Sequence, residues 1–178
     1  QLADNGRVIL ERRLAFITEL AEVFQVYYDR VALGREKVTL EYSTTIKEND
    51  YLQSLRGNFD RDRVLTYTTV GIHRDDITLS IEGYPVKRLG SQGQKKSFLT
   101  ALKFAQFAYL AQQKGVKPLL LLDDIFDKLD ADRVSQIIRI VSEENFGQVF
   151  ITDTNRGHID EILRLHAIDQ GAIADFKF

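Results

Sequence analysis

The chain contains no cysteine, which removes disulfides, thiolate metal sites and cysteine nucleophiles in one step. It also contains no methionine and begins at Gln1, so it reads as a piece of a longer protein. No apolar run approaches the roughly 18 residues of a membrane span, and the N-terminus lacks the basic-then-apolar layout of a signal peptide. A cytoplasmic address without a membrane partner is the expectation. Neither sign of charge is in excess: 24 Lys and Arg against 26 Asp and Glu leave a formal −2. The net field therefore does not announce nucleic acid, although a local basic patch can exist within it. No Ser-His-Asp arrangement with suitable neighbours occurs, so nucleophilic hydrolysis has no support.

What is present suffices for a packed core: 178 residues, 44% of them hydrophobic, fit one domain or a domain with an appendage. Leu10, Leu14, Ile17, Leu20, Ala21, Phe24, Tyr27, Tyr28 and Val31 recur at helical spacing, and Gly34 follows as a helix stop. "KVTLEYS" (37–43) alternates as a strand, and "ENDYLQSLRGNFDRDRVL" (48–65) reads as one charged helix. "ITLSIEG" and "YPVKRL" (77–89) read as two strands of a hairpin around Glu82 and Gly83. Ser91 then opens a helix carrying Phe98, Leu99, Leu102, Phe104, Ala105, Ala108, Tyr109 and Leu110, stopped by Gly115 and Pro118. "LLLL" (119–122) predicts a fully buried parallel strand, residues 130–145 a helix, "GQVFIT" (147–152) a second buried strand, residues 156–166 a helix, and residues 167–178 a closing hairpin. Strands alternating with helices argue an α/β sheet.

Three stretches carry chemistry. "LLLLDD" places Asp123 and Asp124 at the carboxyl end of a central strand, where open α/β sheets bind ligands. Adjacent acids there repel, and a hydrated Mg²⁺ beside nucleotide phosphates would offset that repulsion; an Asp capping a following helix accounts for the same letters. "LGSQGQKKS" (89–97) sets Gly90, Ser91 and Gly93 before the long helix, where outward backbone N–H groups and a hydroxyl suit a phosphate oxygen. An ordinary Ser N-cap with glycines in a turn is the plainer account. "GIHRDD" (71–76) holds His73, Asp75 and Asp76, but alternate side chains of an extended strand face opposite ways, so a structural turn or interface is expected over a metal site. Lys87, Arg88, Lys95, Lys96 and Lys103 form a basic cluster that reads as a solvated helix face, with contact to triphosphate or DNA phosphates as the alternative. Phe98 and Phe104 read as core, and His158 and His166 as solvated.

The order "GSQGQ", helix, "LLLLDD", "DKLD" resembles the C-terminal half of ATP-binding-cassette ATPases of the SMC group, and the RecF family most closely, for which "GIHRDD" is a further likeness. The resemblance implies an α/β fold, the C-terminal half of an ABC/SMC-type ATPase head with a mainly parallel sheet flanked by helices and an N-terminal helical arm. Residues 1–62 would be the arm remainder and 63–178 the lobe with signature, Walker B and D-loop. It further implies that Ser91, Gly93 and Gln94 contact the γ-phosphate of ATP held by a second subunit, that Asp123 holds Mg²⁺ through water and that Asp124 orients the attacking water. Asp130 would reach across the interface, and Thr154 in "ITDTN" falls at the switch position where relatives often carry histidine. Implied partners are duplex DNA near single-strand gaps, the mediators RecO and RecR, and a second copy in an ATP-dependent homodimer that assists recombinase loading.

Two residues depart from the pattern. Asp124 stands where many relatives have Glu, one methylene longer, and Thr154 cannot act as a charged donor; both imply slow hydrolysis used as a switch. The loop G-x-x-x-x-G-K-[ST], whose amides and Lys cradle the β- and γ-phosphates, occurs nowhere, so this chain alone is expected to bind ATP poorly. Competing readings are another SMC-like head, a non-catalytic partner-binding module, and a metal-dependent hydrolase using Asp123 and Asp124. The last leaves "GSQGQ" and "DKLD" without a role.

Overall fold

The computed structural model describes residues 2–46, 50–143, 146–158, 160 and 164. Helix α1 (Leu2–Ala32) buries Leu10, Ile17, Leu20, Phe24, Tyr27, Tyr28 and Val31 along one stripe, as three-four spacing requires. Its stop differs from the expected one by a residue. Leu33 takes the first left-handed position (φ 56°), Gly34 the second (φ 65°), and the Gly34 N–H donates to Asp29 O at 2.8 Å in a Schellman closure.

β1 (Val38–Ser43), β2 (Asp76–Ile81) and the two-residue β3 (Tyr84–Pro85) form an antiparallel sheet in that order. Ile81 pairs with Tyr84, and Glu82 and Gly83 both have positive φ (51° and 77°), the twist that a two-residue hairpin turn needs. The second strand of this hairpin is shorter than expected. After Pro85 the chain turns into α4 (Val86–Leu89), which inserts Val86 into the core. The helix expected over residues 48–65 is two helices, α2 (Tyr51–Gly57) and α3 (Phe59–Leu65), because Gly57 and Asn58 break the run and Asn58 leaves helical geometry (φ −105°, ψ 2°).

α5 (Gln92–Lys114) begins at the Ser91 cap and ends where Gly115 turns left-handed (φ 65°). Its inward face is Ser97, Phe98, Thr100, Ala101, Phe104, Ala105 and Phe107, narrower than the apolar set read from sequence, since Leu99 and Leu110 are exposed. Phe98 stacks obliquely on Phe24 (4.5 Å between ring centroids) and Phe104 on Tyr27 (5.6 Å), which locks α5 against α1. β4 (Leu120–Asp123), α6 (Ala131–Glu143) and β5 (Val149–Thr152) complete a parallel pair with a helical crossover.

Both parallel strands are covered on one face only. Leu120 and Leu122 enter the core, whereas Leu119, Leu121 and Phe150 are more than half exposed on the other side. The expectation of fully buried strands fails because an apolar run looks the same whether one face or two is covered, and the described residues supply helices to one side. The large core joins the C-terminal half of α1 to β1, α5, β4 and α6, while Leu10, Ile46, Tyr51 and Val70 form a smaller cluster. Position 62 thus falls between segments that share both clusters. No helix among the described residues is long and apolar enough to cross a membrane. The closing hairpin and all but residues 156–158, 160 and 164 of the last expected helix lie outside the described residues, His166 included.

Candidate functional site

The start of α5 is a complete capping box. The Gln94 N–H donates to Ser91 Oγ at 3.1 Å, and the Ser91 N–H donates to Gln94 Oε1 at 2.8 Å. This satisfies two of the donors a helix start leaves open, and Ser91 stays exposed with its hydroxyl proton uncommitted among the described contacts. Gly93 lies close against the following turn, since a Cβ there would lie 3.2 Å from Lys128 O, tighter than an ordinary contact. The glycine favours close approach to the "DKLD" turn rather than serving an unusual φ.

At the end of β4 the chain turns sharply. Asp124 has φ 46°, a left-handed conformation that Asp tolerates better than most residues, and its N–H is shared between Thr152 O (3.1 Å) and Thr152 Oγ1 (3.2 Å). The Thr152 hydroxyl donates in turn to Asp123. Lys96, on the second turn of α5, lies 3.5 Å from Asp124 Oδ2. The repulsion between the paired acids is therefore eased by a hydroxyl on one and an ammonium on the other, and both carboxylates still reach solvent. Lys96 also leaves the solvated group to which the sequence assigned it. Lys128 is a second left-handed residue (φ 61°), so two strained positions flank this turn.

Asp130 caps α6: its Oδ1 accepts the Arg133 N–H at 2.9 Å, and its Oδ2 lies 3.2 Å from Arg133 Nε. Arg133 continues inward. Its Nη1 donates to Ser97 Oγ (2.7 Å) and its Nη2 to Glu36 Oε1 (2.8 Å). Glu36 also accepts from Gln94 Nε2 (3.0 Å) and from the Tyr28 hydroxyl (2.5 Å). Arg133 and Glu36 side chains are only 13% and 15% exposed, so the pair is largely withdrawn from water. Desolvation works to raise the Glu36 pKa, but the hydrogen bonds from Tyr28 and Gln94 and the Arg133 charge prevail and hold it below the ordinary 4.5. Burial pushes the Tyr28 hydroxyl well above its usual value, and Glu36 reinforces the effect. Sequence reasoning missed Glu36, Arg133 and Tyr28. The one local hint was a phenol on the buried stripe of α1, which needs a partner.

Thr154 follows β5 and is exposed; it is Thr152, two residues earlier, that reaches Asp123. His158 is not solvated as expected. Its Nδ1 lies 2.7 Å from Asp153 Oδ2, a side chain only 3% exposed, and its ring packs on Phe126 at 5.0 Å. "GIHRDD" is a hydrogen-bonded turn with each side chain engaged separately: His73 Nε2 with Thr68 O (3.0 Å), Asp75 with the Tyr42 hydroxyl (2.5 Å), and Asp76 with the Ile77 N–H (2.8 Å). Gly71 there has φ 139°, and its N–H donates to Thr45 Oγ1 at 3.0 Å.

A phosphate-suited helix start packed beside a carboxylate-tipped parallel strand and its following turn is the arrangement of an ABC/SMC-type ATPase head, in its C-terminal half. Solved structures agree: the head of an SMC protein bound to the C-winged helix domain of ScpA shares the fold with TM-score 0.50 at 14% identity over 81% of this chain and 36% of that one. The recombination mediator protein RecF bound to ATPrS, of the RecFOR pathway, matches with TM-score 0.69 at 27% identity over 86% of this chain and 43% of that one. Among curated proteins, the DNA replication and repair protein RecF of Parabacteroides distasonis is 47% identical over 163 residues, 92% of this chain and 45% of its own length. Its counterpart in Flavobacterium johnsoniae is 46% identical (92% and 46%), and that in Bacteroides fragilis 43% identical (99% and 50%). Over nearly its whole length the chain is similar to proteins named RecF, and it corresponds to their C-terminal part. It spans about half the length of the curated relatives it matches. No family model matches it.

Proposed function

We propose that this chain supplies the signature and carboxylate half of a nucleotide site in a RecF-type DNA-repair ATPase, a site completed by a second copy bound through Mg-ATP. The observation that supports this most directly is the seating of the α5 start, with Gly93 on Lys128 O and Lys96 on Asp124, in a chain whose relatives carry the RecF name. Ser91 donates its free hydroxyl proton to the γ-phosphate of the partner's nucleotide, and the Gln92 and Gly93 amides at the helix start face the same oxygens. Gln94 serves the site by holding Ser91, because its amide is engaged at both ends within the chain.

Asp123 holds hydrated Mg²⁺. The donor set fits that ion: Asp123 is exposed at the strand tip with the Asp124 carboxylate beside it, and Mg²⁺ is commonly held by one or two carboxylates and water, so these two side chains would hold it. Asp124 positions the attacking water, its shorter reach setting a slow rate, and Asp130 and Thr154 face the interface and the phosphate respectively. Residues 1–62 and 63–178 act as arm and nucleotide-facing lobe, joined by shared cores. The protein binds DNA at single-strand gaps with RecO and RecR and assists recombinase loading, a reading supported by the RecFOR setting of the solved relative.

Asp124→Asn in the whole gene product tests the chemistry. ATP-driven association is expected to persist while phosphate release falls about 100-fold, the scale of losing one group that positions charge in a reaction. Unchanged release would remove Asp124 from the role.

A further inference from the structure

The capping box at Ser91 and the cap at Asp130 are separate turns in sequence, yet one chain of polar contacts, exposed at its two ends and part-buried at its centre, joins them. From the α5 start it runs Ser91 N–H to Gln94, then Gln94 Nε2 to Glu36 Oε1, then Glu36 Oε1 to Arg133 Nη2, and finally Arg133 Nε to Asp130 Oδ2. A parallel branch runs from Gly93 O to Ser97 Oγ (2.8 Å) and on to Arg133 Nη1 (2.7 Å), and Gly93 itself packs on Lys128 O. Ser97 is fully buried, and among the described residues no buried side-chain polar atom lacks a partner, so the buried centre of the network is fully satisfied. Tyr28, also fully buried, fixes the far oxygen of Glu36 from α1. A guanidinium is the one side chain able to serve Ser97, Glu36 and Asp130 together from a planar fork.

We propose that Glu36 and Arg133 are positioning residues that make the phosphate-facing turn, residues 90–97, and the interface turn, residues 127–133, a single body. The mechanical coupling stands on the contacts alone; its use in sensing nucleotide across a subunit boundary rests on the function proposed above. A displacement of Asp130 by a partner then draws Arg133, and Arg133 and Glu36 carry it to Gln94 and the Ser91 N–H. A pair that only stabilises the fold carries no such signal.

Two variants test this in the 178-residue chain by amide hydrogen exchange. Arg133→Lys keeps the charge but not the fork, and Glu36→Gln keeps the shape but not the charge. Each is expected to speed exchange roughly tenfold in both residues 90–97 and residues 127–133, the scale of one lost charge-assisted hydrogen bond, with residues 100–111 unchanged. Acceleration of one turn alone, of neither, or of all three segments equally overturns the coupling. In the whole gene product, Arg133→Lys is expected to weaken Mg-ATP-driven association roughly tenfold. If the unaltered protein fails to associate with Mg-ATP, the nucleotide reading falls while the exchange result still decides the coupling; if it associates and Arg133→Lys does so equally well, the coupling has no role at the site.

Discussion

Gly6 sits on the buried side of α1, where a Cβ would come within 2.4 Å of Tyr51 Cζ. The ring it would displace anchors the smaller core and its hydroxyl accepts the Ile72 N–H. Gly6→Ala gains about 1 kcal/mol of helix propensity yet is expected to lower stability by about 1–2 kcal/mol net, read from the urea midpoint; a raised midpoint would contradict the packing. Glu36 sets a pH signature. Its folded pKa is lowered, so its contribution is fully present above the ordinary 4.5 and is lost as pH falls through the lowered value. Melting temperature measured from pH 6 down to pH 3 should therefore drop more steeply for the unaltered chain than for Glu36→Gln; identical acid limbs would contradict the pairing. Ser91, Asp123 and Asp124 were legible in sequence because their meaning is local: a cap before a helix and acids at a strand tip. Glu36 and Arg133 were not, because they meet across 97 positions and neither belongs to a periodic pattern.

At the scale of elements, the start of α5 is a structural cap, and that role must be separated experimentally from the nucleotide contact proposed for it. Ser91→Ala removes the cap and is expected to lower stability by about 1 kcal/mol without any nucleotide, whereas Ser91→Gly should lose only a few tenths. Denaturant midpoints of both variants check this, and a Ser91→Ala midpoint equal to that of the unaltered chain would mean the hydroxyl does not cap. The half-covered sheet predicts behaviour of its own. Leu119, Leu121 and Phe150 present a contiguous apolar stretch, so the chain is expected to self-associate at high concentration, and Leu121→Lys to reduce that association without loss of fold. Sedimentation velocity of the two proteins decides it. Helices α1 and α5 were readable because a long three-four stripe admits one interpretation. The coverage of β4 was not, since four leucines carry no period, and the shortness of β3 was hidden because Pro85 and the apolar Val86 suit a strand edge as well as a helix start.

At the scale of the whole molecule, two hydrophobic clusters each draw on residues from before and after position 62, and the larger one holds the α5 start, the β4 tip and the turn before α6 on one scaffold. The fold class was legible from the order of motifs, because a glycine-containing loop, a helix, an acid-tipped strand and a following turn occur together at fixed spacing. In the function proposed here, their use depends on the surface of a second copy. The direct test is the light-scattering mass of the whole gene product with and without Mg-ATP, for the unaltered protein and for Ser91→Arg, whose bulk fills the space a phosphate needs. A doubling of mass with Mg-ATP that Ser91→Arg abolishes is the predicted result. A mass indifferent to both nucleotide and substitution would contradict the shared site and leave the paired acids with a structural role alone.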